Sequence, residues 1–144
     1  MDENKSTVEL INEIRESSDP DEYFKKNTKE MDDMSLSGFF GKMLEKYDMK
    51  KSDLIRKAGL SGNNYAYEIL RTDEKTPSRD IIIRLCLAFP LGIDETQLAL
   101  RCAGKAPLYP RDRRDVCILF AIKNGLRPDE LNEKLGEKGL KVLD

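Results

Sequence analysis

The strongest constraint on how this chain folds is residues 51–71, KSDLIRKAGLSGNNYAYEILR, where two apolar patterns of helical period are separated by only Gly59-Leu60-Ser61. Ser52 is placed to cap the first helix, because a serine hydroxyl can accept from a free backbone N–H one turn on. Asp53 then suits the positive helix start. Leu54, Ile55 and Ala58 give that helix one apolar stripe, and Gly59 supplies the left-handed residue that ends it. Ser61 is placed to cap a second helix with Tyr65, Ala66, Ile69 and Leu70 inward and Leu60 stapled to Tyr65. Two short helices restarting after about three residues fold back as a helical hairpin of the helix-turn-helix kind. The chain built around it is expected to be all-α.

The same spacing leaves Asn63, Asn64, Tyr67, Glu68 and Arg71 outside. Asparagine pairs bidentately with adenine, and arginine with guanine or a phosphate, so this face has the chemistry to read a major groove. A helical hairpin whose Asn and Tyr merely solvate its surface shows the same pattern. The flanking elements therefore decide between the two.

Upstream, Leu36, Phe39, Phe40, Met43, Leu44 and Tyr47 fall at helical spacing after a capping Ser35. Gly38 and Gly41 weaken that helix unless close packing requires them. Downstream comes a polar loop, then Pro77, a capping Ser78 and a helix burying Ile81, Ile82, Leu85, Ala88 and Phe89. Lys75 and Arg79 follow the exposed helix closely, where contacts to phosphate would fix its register without reading sequence. Asp94 and Gln97 predict the N-cap and N3 pair of a further helix through Leu98, Leu100 and Ala103, ended by Gly104.

Five helices of these lengths over residues 35–104, with the second and third as the hairpin, resemble the lambda-repressor-like (Cro/C1, XRE-type) DNA-binding domain. The resemblance is carried by SDLIRKAGLS, the TPSRD loop and the LGIDETQ entry to the fifth helix. It implies a small bacterial transcriptional regulator whose recognition helix, about residues 63–71, lies in the major groove of double-stranded DNA. Asn63, Asn64, Tyr67 and Arg71 would stand at or near base edges, with Lys51, Lys75 and Arg79 on phosphates. The sequence departs from the family pattern at Lys51 and Gly62, where glutamines are common, and at Ile55, where a small Ala is usual. The GNN segment is also one residue longer than that pattern between the turn and Ile69.

The flanks lie outside that domain. Residues 1–34 hold 11 Asp+Glu against 5 Lys+Arg, a net of −6, whereas residues 35–144 carry +4. This acidic head is read as two short helices, one opened by a Ser6/Glu9 capping box and one by Asp19-Pro20-Asp21-Glu22. Thin apolar stripes leave such helices marginal unless they pack on something, whether the body, a second copy or a protein partner. Residues 105–144 read as a two-proline linker and two more helices. Asp112 caps one whose run Val116 to Ile122 is apolar nearly all round, Gly125 ends it, and Pro128 opens the other. The resemblance extends to small bacterial helix-turn-helix proteins with an APLYPRD-type linker and no assigned role. Two readings of this tail stay open: it completes the core, or it forms a homodimer interface. Arg111, Arg113 and Arg114 form a basic cluster interrupted by two aspartates.

Composition excludes several functions. With no histidine, no Cys-x-x-Cys pair and no phosphate-binding loop, neither an enzyme, a metal site nor a cofactor is expected. Cys86, Cys102 and Cys117 are widely spaced within helical patterns and read as reduced core residues. No apolar run approaches a membrane span and no signal peptide is evident, so a cytoplasmic location is expected. The mild basic excess of the body, beside an acidic head, keeps a second function class open. In it the chain is an adaptor that retains the helical scaffold and binds protein rather than DNA.

Overall fold

The computed structural model describes residues 5–31, 34–62 and 64–144. Among these residues every regular element is helical, and the chain divides into two compact units, Met1–Asp33 and Met34–Asp144.

In the first unit, α1 (Thr7–Glu16) starts where the Ser6 hydroxyl accepts from Glu9 N–H at 3.1 Å. In α2 (Pro20–Lys26), Asp19 accepts from Glu22 N–H at 2.9 Å, and Glu22 accepts in return from Ser18 N–H at 3.0 Å. Both starts lie where the serine and aspartate signals put them. Neither helix contains a buried residue. What the unit encloses is polar: Asn27 is 2% exposed, donates to Glu13 at 2.7 Å and accepts from Lys5 Nζ at 2.8 Å, while Lys5 Nζ also reaches Glu13 at 2.6 Å.

The second unit holds α3 (Leu36–Lys46), α4 (Lys51–Lys57), α5 (Asn64–Arg71), α6 (Arg79–Ala88), α7 (Ile93–Cys102), α8 (Arg113–Asn124) and α9 (Pro128–Glu137). Helix α3 packs on α5 and α7, α4 on α5 and α6, and α6 on α7 and α9, while α8 lies against α7 and α9. One apolar cluster runs through all seven, from Phe39, Phe40 and Leu54 through Ile82 and Leu100 to Ile118, Leu131 and Leu135. Leu108, Ile118, Leu131, Leu135 and Leu143 of residues 105–144 are buried in that cluster.

Several local starts shift from their expected places. Helix α7 opens at Gly92 rather than Asp94, with Glu95 supplying the N3 side chain. Gln97 is thereby released to hold the linker. Its amide donates to Leu108 O at 2.9 Å and accepts from Leu108 N–H at 2.7 Å, seating the buried Leu108 of the two-proline segment. Asn132 of α9 grips Leu143 in the same two-way fashion, at 3.4 and 2.7 Å. Gly41 faces open space, so packing does not require it, whereas a Cβ at Gly38 would meet the capping Ser35 hydroxyl at 3.0 Å.

Candidate nucleic-acid interface

Helix α4 begins two residues earlier than a Ser52 cap would place it. Lys50 is the extended N-cap, without a side-chain capping bond, and Ser52 lies within the first turn. Asp53 stays near the positive helix end and pairs with Arg56 at 3.2 Å. Leu54, Ile55 and Ala58 are all buried, as their spacing requires. The helix stops at Gly59, whose φ of 77° admits the two closing bonds from Gly59 N–H to Arg56 O and from Leu60 N–H to Ile55 O.

The turn to α5 is longer than a Ser61 cap would make it. Gly62 lies in the turn with a φ of 77°, and α5 spans Asn64–Arg71. Asn63 lies outside the described residues. From Asn64 onward the register is as the periodicity predicts: Ala66, Ile69 and Leu70 are buried, and Tyr65 is half-buried with its hydroxyl donating to Thr76 O at 3.2 Å. The opposite face presents Asn64, Tyr67 and Arg71 to solvent, three and four residues apart and therefore in one stripe. Among the described residues, no hydrogen bond or ion pair engages the side chains of Asn64, Tyr67 or Arg71.

Two contacts fix this hairpin on the body. Asp73, in the loop after α5, accepts from both the backbone N–H and the hydroxyl of Ser37 at 3.0 and 2.9 Å, tying the exit of α5 to the first turn of α3. Those two donors hold the Asp73 carboxyl below its usual range, the backbone bond contributing most. Arg84 of α6 donates to Ala58 O at the end of α4 and to Leu143 O, both at 3.2 Å, and so joins the hairpin to the C-terminal residues.

The residues expected on phosphates separate into two kinds. Lys51 is exposed at the start of α4, and Lys75 is exposed beyond α5, with Glu68 at 4.0 Å. Arg79 is engaged within the molecule. Its guanidinium makes a two-point pair with Asp115 at 2.9 Å on each arm, and it also donates to Ala106 O at 3.0 Å and Pro107 O at 2.9 Å. Most of its donors are used inside the molecule. Arg114 is likewise taken from the basic cluster: it pairs with Asp80 at 3.1 and 2.9 Å, and Asp80 also accepts from Asp144 N–H. For both Asp80 and Asp115, burial alone would raise the carboxyl pKa, but the arginine bonds and one backbone N–H each hold it below the usual carboxylate range.

Burial pushes the Cys86 thiol far above its ordinary range, which leaves it inert at neutral pH. Among the described residues, no group of three His, Cys, Asp or Glu side chains is placed to hold a metal, and no helix is long and apolar enough to cross a membrane. A cleft of about 840 Å³ lies between the Pro90–Gly92 turn and the end of α8 near Leu126, with Cys86, Asp94, Glu95 and Lys123 among its lining residues. No family model, curated protein or solved structure matches the chain.

Proposed function

We propose that this protein binds double-stranded DNA sequence-specifically as a transcriptional regulator, with α3 to α7 as a lambda-repressor-like domain and α5 as the helix that enters the major groove. The observation that carries this reading is the division of α5: one face anchored by Ala66, Ile69 and Leu70, the other a stripe of Asn64, Tyr67 and Arg71 with uncommitted side chains. The stripe spans about 10 Å along the axis at 1.5 Å per residue, comparable with the width of about 12 Å of a major groove. Asn64, in the first turn, would meet an adenine edge, while Arg71 would meet guanine or the flanking backbone. Lys51 and Lys75 would set the register on phosphates. The chain would act in the cytoplasm and without a cofactor.

The test is selection of genomic fragments by the purified protein, with affinity then measured across salt concentration. Enrichment of one short motif, lost in Asn64→Ala/Arg71→Ala with the helical spectrum retained, is the expected result. A folded protein that enriches no motif, or a double variant that keeps full affinity for the selected site, refutes this use of α5. The adaptor reading is favoured by one feature, the exposed apolar side chains of α1 and α2. A stoichiometric protein partner recovered without DNA enrichment would support it.

A further inference from the structure

Each of the two units carries an unusual surface, and the two surfaces are complementary. The first is a continuous groove between α8 and α9. Its floor is Val116, Cys117 and Phe120, with Phe120 55% exposed, and it comprises adjoining depressions of about 650 and 320 Å³. Arg111, Arg113, Lys134 and Lys138 line it, and among the described residues no Asp or Glu does so. None of those four side chains is engaged in an ion pair or hydrogen bond among the described residues. A fifth cation, Lys123, lies over the Phe120 ring at 5.7 Å.

The second surface belongs to α1 and α2, which are built with polar groups inside and apolar groups outside. Val8, Ile11, Ile14 and Phe24 are 69, 43, 51 and 50% exposed, while the buried Asn27 bonds the half-buried Lys5 and Glu13. Beside Phe24 lies a depression of about 370 Å³ formed with Ile14, Pro20 and Tyr23, large enough for a phenyl ring, and Asp19 is on its rim. From Thr7 to Lys26 the hairpin holds six acidic and three basic residues, a net charge of −3.

We propose that the α1–α2 hairpin of one copy docks in the α8–α9 groove of a second copy, with Phe120 seated in the depression formed by Ile14, Pro20, Tyr23 and Phe24. Lys134 and Lys138 then face the acidic rim. The alternative of pairing groove to groove would bring ten cations together, five from each copy, which like-charge repulsion disfavours. A head-to-groove contact either grows into a filament or closes, and reciprocal exchange between two copies closes it as a two-fold dimer. An aromatic ring seated in a pocket is a common interface anchor, and charged groups are expected at the rim around it. This inference does not rest on DNA binding.

Sedimentation equilibrium of the full chain tests it. The expected result is a reversible dimer with a Kd on the order of 10 µM at moderate salt, weakened at least about tenfold by Phe120→Asp, by Ile14→Asp or by raised salt. Charge reversal gives the decisive comparison. Lys134→Glu/Lys138→Glu and Glu16→Lys/Asp21→Lys should each be monomeric alone and should dimerise when mixed, because reciprocal exchange then pairs the two reversed surfaces and the two native ones. All these sites are exposed, and circular dichroism is to be recorded for each variant to check that it is folded. A native protein that stays monomeric, forms an open series of larger species, or dimerises without regard to the head substitutions overturns the proposal.

Discussion

Replacing Arg79 by Ala separates two incompatible roles for that residue. As a phosphate contact it would matter only for DNA; the structure instead makes it the bolt between α6, the two-proline linker and α8. Asp115, with its side chain 9% exposed, would lose both arms of the Arg79 pair and keep only the Tyr109 and Asp112-capping contacts of its segment. Removing one partner of a buried pair leaves an uncompensated charge and costs about 3–5 kcal/mol. Because Tyr109 N–H still donates to Asp115 at 3.0 Å, the lower end, about 3 kcal/mol, is expected, or a fall in Tm of roughly 10 °C. Arg79→Lys should recover only part of this, since an ammonium cannot reproduce the planar two-point bond. Lys46→Ala, which removes a more exposed pair with Glu95, should leave the urea midpoint nearly unchanged. Urea unfolding measures all three. A loss below about 1 kcal/mol for Arg79→Ala would mean that solvent screens the pair as it would a surface pair, refuting the structural assignment.

Further outcomes follow from the same geometry. Gly59→Ala should destabilise by about 1–2 kcal/mol, because it forces a left-handed Ala and puts a Cβ 2.9 Å from Arg84 Nη1, whereas Gly41→Ala, in helix and open space, should stabilise by about 0.5–1 kcal/mol; thermal melts compare the two. Asp80 and Asp115 have depressed folded pKa values. Their contribution is therefore complete above the unfolded carboxyl pKa of about 4 and is lost as pH falls through the lower folded values. Urea titrations should show stability falling on acidification below about pH 4, and Asp115→Asn should flatten that fall while lowering stability at neutral pH. If DNA is bound as proposed, Lys51→Ala and Lys75→Ala should each reduce the salt slope by about one unit, and an unchanged slope removes that lysine from the interface.

Much of the secondary structure is legible in the sequence because its causes are local. Ser6, Asp19, Ser35, Ser78 and Asp112 each cap the helix that they precede, and apolar spacing alone turns Leu54, Ile55, Ile69 and Leu70 inward. Ser52 and Ser61 show the limit. A serine near a helix start signals a cap, but the Lys50 backbone and the left-handed Gly62 move the starts of α4 and α5 by a residue or more. The exposed stripe of α5 can be read from period alone, whereas the availability of its side chains cannot.

The sequence by itself determined that this chain is helical, where most of its helices begin and end, and which face of each is apolar. Those properties depend on residues within about one turn of one another. Only the tertiary structure decided what the charged residues do. Arg114 and Asp115 are adjacent in sequence and look self-neutralising, yet neighbours on a helix point in different directions and do not face each other. The fold pairs them crosswise instead, Arg114 with Asp80 and Arg79 with Asp115, across 34 and 36 residues of chain. Such pairing depends on how α6 and α8 dock, which no local spacing contains.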